Sequence, residues 1–285
     1  MAEYIDGYWW SGDGIRLHYR DYPGPKSKAP VICLPGLTRN ARDFEPVAQM
    51  LGGKRRMLAL EFRGRGESGY AKDPMSYVPL SYVQDVDVLL RELDLKNFIL
   101  LGTSLGGIVS MLLAGAWKER LSGLILNDIG PEIGQAGAER IRGYIGQGRS
   151  FETWMHAARA MAEAQGDIYP AYGLEEWLRF AKRACKLGAN GRITFDYDMK
   201  IAEPFKLPGG EAGVDLWPAF AALSDVPLLV MRGEKSDILE KTVGTKMIKK
   251  SEKAALATVK GVGHAPSLDE PDAQEAILQF LKTIK

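Results

Sequence analysis

Cysteine, histidine and net charge are all scarce in this 285-residue chain. It has two cysteines, three histidines, and 37 basic against 36 acidic residues, a formal net charge of +1. Cys33 and Cys185 lie far apart and form neither a disulfide framework nor a metal-ligand spacing, and Cys33 sits in an apolar run where a thiol serves as a small core residue. No metal and no cofactor is expected. The balanced charge gives no reason to expect a nucleic-acid or anionic-membrane partner. Long apolar runs are missing too: the longest, 106–117, is about a dozen residues, too short to span a bilayer. The first residues, Met1-Ala2-Glu3-Tyr4-Ile5-Asp6, carry acids where a secretory signal carries bases, and no apolar segment of signal type follows. The expectation is a cytoplasmic protein acting on a small molecule; its oligomeric state is not legible.

What is present is an ordinary globular balance, 46% apolar and 26% charged, enough for one large domain or one core carrying an insertion. Tyr8-Trp9-Trp10, the turn cluster Ser11-Gly12-Asp13-Gly14 and the alternating Ile15-Arg16-Leu17-His18-Tyr19 read as a β-hairpin. Unbroken apolar runs then recur: Val31-Ile32-Cys33-Leu34, Met57-Leu58-Ala59-Leu60, Phe98-Ile99-Leu100-Leu101, Leu124-Ile125-Leu126, Leu228-Leu229-Val230-Met231 and Leu256-Ala257-Thr258-Val259. Such runs fit parallel strands covered on both faces. Between them come helical patterns, with Tyr82, Val86, Leu89 and Leu93 on one face, and a last helix after Asp269 that turns Ile277, Phe280, Leu281 and Ile284 inward. Strand alternating with helix means an open parallel sheet with right-handed crossovers. The alternation stops over 131–225, where aromatic residues abound and no strand is evident; this segment is expected to be a helical lid over the C-terminal edge of the sheet.

The strongest chemical signal is Gly102-Thr103-Ser104-Leu105-Gly106-Gly107, which follows an apolar run directly and precedes an apolar helix at 108–114. Gly-x-Ser-x-Gly in a strand–turn–helix context is a nucleophile elbow: the glycines permit the tight turn, and the serine is held in a strained conformation with its hydroxyl exposed. A serine hydroxyl needs a base to take its proton. His18 falls in the hairpin and His156 in the expected lid. His264, in Gly261-Val262-Gly263-His264-Ala265-Pro266 just past the last strand, reaches the same sheet edge as Ser104 and is the expected base. A carboxylate must hold its tautomer. Asp237, in the loop after the penultimate strand, is favoured; Asp128, one strand earlier, is its rival and Glu234 a weaker one. The oxyanion is expected to be met by the backbone N–H of Leu105 and of Leu37, since Gly36 allows a close approach and Pro35 has no N–H.

Leu34-Pro35-Gly36-Leu37, Phe62-Arg63-Gly64-Arg65-Gly66-Glu67-Ser68, the elbow from Gly102, Asp237 and Gly263-His264 together resemble the α/β-hydrolase fold superfamily over nearly the whole chain. Many relatives have His-Gly in place of Pro35-Gly36, and Asp in place of Glu61. The resemblance implies an α/β class fold, with a mostly parallel central sheet flanked by helices, a core of 1–130 and 226–285, and a lid (cap) of 131–225 before the penultimate strand. Relatives that hydrolyse haloalkanes or epoxides use Asp at the elbow, so Ser104 argues against both. The implied activity is serine hydrolysis of a small carboxylic ester or lactone through an acyl-enzyme. A carbon–carbon hydrolase of a ring-cleavage product is the alternative, and it would want a cationic lid residue such as Arg159, Arg179 or Arg183. A non-catalytic ligand-binding protein is the reading from a different class.

Overall fold

The computed structural model describes residues 2–206 and 215–284. Its main sheet has eight strands in the order β1-β2-β4-β3-β5-β6-β10-β11. The hairpin forms first, β1 (Ile5–Trp10) antiparallel to β2 (Arg16–Tyr22), and β2 pairs antiparallel with β4 (Met57–Glu61). From there every pairing is parallel, through β3 (Val31–Leu34), β5 (Phe98–Thr103), β6 (Leu121–Asn127), β10 (Leu228–Gly233) and β11 (Ala254–Val259). All residues of β3 and β4 are buried, which is why these strands read as unbroken apolar runs rather than alternations.

Helices α1 (Glu45–Leu51), α2 (Pro79–Leu93), α3 (Leu105–Trp117), α8 (Lys241–Lys250) and α9 (Pro271–Lys282) flank the sheet. Helix α2 buries Tyr82, Val86 and Leu89, and α9 buries Ile277, Phe280 and Leu281. Each such side chain contributes about 1.5–3 kcal/mol over the exposed state. Helix α3 is apolar nearly all round and packs inside, against β3, β5 and β6 and under α2.

The segment 131–225 departs from the expected all-helical insertion. Besides α4 (Gln135–Tyr144), α5 (Trp154–Gln165), α6 (Leu174–Ala184) and α7 (Trp217–Ala221), it holds a small antiparallel sheet in the order β7-β9-β8. Its strands, β7 (Ser150–Phe151), β8 (Cys185–Leu187) and β9 (Ile193–Phe195), are two or three residues long, too short for an alternation to register. The overlooked signal is Asn190-Gly191, a hairpin turn pair between β8 and β9 with Gly191 at φ +73°. Positions 207–214 of the expected lid lie outside the described residues.

Glu61 at the end of β4 has a structural task. Its carboxylate accepts from the backbone N–H of Ala41 and Glu67 and from His18 Nδ1 at 2.9 Å, while His18 Nε2 bonds Asp6 at 2.9 Å. His18 is therefore buried in the sheet rather than at the surface. Burial disfavours its charge, but Glu61 and Asp6 outweigh that and raise its pKa above the ordinary value. A group whose pKa is raised on folding adds stability that is complete below its unfolded pKa, near 6.5, and is lost as pH climbs through the folded value. Urea titrations should show stability declining from about pH 6 upward through this interval, with a flatter profile in His18→Gln; identical pH slopes in the two proteins would rule the linkage out.

Candidate active site

The site lies at the C-terminal ends of the parallel strands, where open α/β sheets bind their ligands. Strand β5 delivers Ser104 in the turn to α3, at φ 51° and ψ −116°, a conformation costly for any residue with a Cβ. The turn is tight enough that a Cβ on Gly106 would strike the Leu34 carbonyl, and one on Gly102 would strike the Gly106 carbonyl. Ser104 N–H is tied back to the Asn127 carbonyl of β6 at 3.0 Å.

His264 reaches the serine from the loop after β11, with Nε2 2.9 Å from Ser104 Oγ. Its ring is held from behind by Asp128, whose Oδ2 lies 2.7 Å from Nδ1. With Nδ1 donating to that carboxylate, Nε2 is free to accept the serine proton. Asp128 is fully buried at the end of β6, where it also accepts the Gly233 N–H at 2.7 Å and the Ser236 hydroxyl at 2.6 Å.

The favoured Asp237 is thereby corrected. Its carboxylate forms a two-pronged ion pair with Arg140 of α4, at 2.7 and 2.8 Å, while His264 Nδ1 bonds Asp128. The hydrogen bonds from Arg140 hold its pKa below the ordinary carboxylate value. The cause is local: Ser236, one residue earlier, spends its hydroxyl on Asp128 and fixes the loop, so the next side chain points to the insertion. Glu234 is engaged elsewhere, accepting the Gly261 N–H at 2.8 Å. His156 is exposed at the start of α5 beside its capping Thr153.

Leu37 and Leu105 flank Ser104, and neither amide donates to an acceptor among the described residues. The Leu37 loop is clamped by Arg65, which is wholly buried and donates from Nε and Nη2 to the Leu37 carbonyl at 2.9 and 2.8 Å. Arg65 Nη1 is anchored in turn on the Arg63 carbonyl and the Tyr82 hydroxyl. This clamp was not foreseen, although two arginines among the glycines of 62–68 were its visible trace.

Over the serine lies a cavity of about 370 Å³. It is lined by the apolar Ile141, Phe151, Met161 and Phe195 and by Arg39, Arg140, Arg149 and Arg183, with Asp43 the one carboxylate among the described lining residues. Trp154 and Trp177 of the aromatic-rich insertion are not part of it. Trp177 is instead buried in an aromatic cluster with Tyr169, Tyr172 and Phe180. The insertion also grips the histidine loop: Ile168 O accepts the Gly263 N–H at 2.9 Å, Tyr169 OH donates to Ala265 O at 2.7 Å, and the Tyr172 and Ser267 hydroxyls pair at 2.6 Å. Burial keeps the Tyr169 phenol well above its ordinary pKa, so it acts as a neutral donor. Among the described residues no three His, Cys, Asp or Glu side chains gather as a metal-binding set, and no helix is long and apolar enough to cross a membrane.

Comparison with known proteins agrees with this layout. The sequence model of the alpha/beta hydrolase family matches residues 31–277. A 3-hydroxybutyrate-oligomer hydrolase of Cupriavidus necator is 33% identical over 271 residues, 92% of this chain and 91% of that protein. The crystal structure of an alpha/beta hydrolase from Novosphingobium aromaticivorans superposes with a TM-score of 0.95 at 55% identity, covering 100% of both chains. A putative hydrolase from Rickettsia typhi gives 0.87 at 29% identity, over 99% of this chain and 100% of that one. With a family match spanning most of its length and an elbow, sheet and histidine loop in the matching places, the chain belongs to the alpha/beta hydrolase family and is an enzyme of the hydrolase class.

Proposed function

We propose that the protein hydrolyses small carboxylic esters through an acyl-enzyme on Ser104. The observation that carries this reading is the continuous hydrogen-bonded line Ser104 Oγ–His264–Asp128 at 2.9 and 2.7 Å beneath the cavity. Ser104 Oγ attacks the ester carbonyl and passes its proton to His264 Nε2, while Asp128 stabilises the imidazolium it faces. The carbonyl oxygen becomes an oxyanion between the Leu37 and Leu105 amides. Collapse breaks the bond to the alcohol, which leaves with the proton from His264. Water then repeats the sequence on the acyl-enzyme and frees the acid. The insertion 131–225 serves as the lid, shaping the cavity and shielding it from bulk water.

The ester reading gains support from the Cupriavidus relative, since an oligomer of 3-hydroxybutyrate is a chain of carboxylic esters. Carbon–carbon cleavage of a ring-cleavage product is the second reading, favoured by Arg183 on the cavity wall; Arg159 and Arg179 are exposed instead. Turnover of a vinylogous diketone but of no ester would select it.

Ser104→Ala should lower turnover of p-nitrophenyl butyrate by about 10⁴- to 10⁶-fold, because triad members act as a unit. An organophosphonate should label Ser104 alone, as read by peptide mass spectrometry; a label elsewhere sinks the assignment.

The two aspartates separate in the same assay. Asp128→Asn presents an amide donor to Nδ1 and favours the wrong tautomer, a change that costs roughly 10⁴ in kcat in an unrelated serine triad. Asp237→Asn loses only its pairing with Arg140, a partly exposed contact, and should cost less than about tenfold. The reverse ranking would return Asp237 to the triad.

A further inference from the structure

The arginines that line the cavity are unevenly paired. Arg140 has Asp237, and Arg39 gives Nε and Nη2 to Asp43 at 2.6 and 2.5 Å. Arg183 has far less. Its side chain is only 9% exposed, its buried Nε has no partner among the described residues, and its guanidinium makes one long contact, Nη2 to Asp269 at 3.4 Å. A guanidinium carries five N–H donors; the Asp269 carboxylate pairs with Arg183 at long range through one of them, and buried donors left without acceptors are costly. The cavity is the open side from which an acceptor can come.

A second lining guanidinium, that of Arg39, rests on the helix that carries Arg183. The Arg183 carbonyl accepts from Asn40 Nδ2 and Arg42 Nε, at 3.0 and 3.1 Å, which pins the end of α6 to the segment that follows the Leu37 loop. Phe180, one turn before Arg183 and on the same helix face, lies under the Arg39 guanidinium at 4.4 Å. Arg39 Nη1 has no acceptor among the described residues. The stem of Arg39 passes beside Gly36, which in turn adjoins Ser104, and Arg183 lines the same cavity as the nucleophile.

We propose that Arg183 and Arg39 form a carboxylate subsite, and that the preferred substrates are esters bearing a free carboxylate at one end, the class to which short linear hydroxyacid esters belong. Planar guanidinium groups suit a carboxylate because both oxygens can be met at once. The apolar lining residues take the aliphatic part of the chain, the arginines take its acid end, and the ester bond between them falls at Ser104. This rests on the ester-hydrolase reading and adds to it what the ester must carry.

The test compares the linear dimer of 3-hydroxybutyrate with its terminal amide, which has the same single ester bond and no charge. The wild-type enzyme should favour the acid by about 100-fold in kcat/KM, mostly through KM, on the scale of a buried charge-paired contact. In Arg183→Gln that preference should fall to within about threefold, and Arg183→Lys should restore part of it by keeping the charge. Equal wild-type rates on acid and amide, or a full preference retained in Arg183→Gln, would overturn the subsite. A wild-type measurement covers the event that the glutamine variant does not fold. 3-Hydroxybutyrate should inhibit p-nitrophenyl butyrate hydrolysis competitively at a concentration at least tenfold below that of 3-hydroxybutyramide, and equal potency overturns the proposal. The ester reading stands or falls separately, on Ser104-dependent hydrolysis of the neutral p-nitrophenyl ester. Should no ester turn over, stabilisation of the wild-type fold by 3-hydroxybutyrate but not by the amide still supports the subsite, and equal melting temperatures refute it.

Discussion

Asp128 sits where water cannot reach its carboxylate, and the surrounding chain is arranged to answer for it. Leaving a buried charge without partners costs about 3–5 kcal/mol. Here the Gly233 amide, the Ser236 hydroxyl and the His264 ring supply three donors. These come from the contiguous segment 233–236 at the end of β10 and from the loop after β11, so a single carboxylate ties two separate pieces of chain to the end of β6. The direction of the imidazole follows, since a ring held at Nδ1 can present only Nε2 to Ser104.

A second constraint acts from the opposite side. The Leu37 carbonyl is gripped by Arg65, a cation buried among Arg63, Tyr82 and the loop itself. Amides aimed at a developing charge are effective in proportion to how little they must move when it appears. In the proposed mechanism, a loop fixed by two hydrogen bonds to one buried guanidinium would meet that requirement through rigidity. The glycine-rich turn 62–68 thus holds the Leu37 loop from a distance, although none of its residues lines the cavity.

The core strands and the elbow were legible in the sequence because their signals are local: apolar runs of strand length, turn residues at fixed offsets, and a serine between glycines at a strand's end. Ser104 and His264 could be paired on topology alone, since parallel strands bring their following loops to one edge. The choice between Asp128 and Asp237 could not be read this way. Both follow strands that end at that edge. What separates them is the bond from Ser236 to Asp128 and the ion pair from Asp237 to Arg140, partners 108 and 97 residues apart. Neither contact leaves a periodicity or spacing in the chain. The insertion was opaque for a different reason: its strands are shorter than any alternation, and which aromatic residues face the cavity depends on how α5 and α6 pack on each other.

The three hydrogen bonds between 168–172 and the loop 263–267 bear on how this enzyme could be rebuilt. A cover that touches only substrate can be exchanged between related scaffolds like a fitted part, with the reaction centre left as it was. The insertion 131–225 is stitched to the loop that carries His264. Grafting a foreign insertion onto the same core would remove the anchors of Gly263, Ala265 and Ser267 together, and so alter the reach of His264 as well as the shape of the chamber. In the proposed mechanism substrate range and chemical rate become coupled traits, and redesign of the first has to carry the 168–172 segment along.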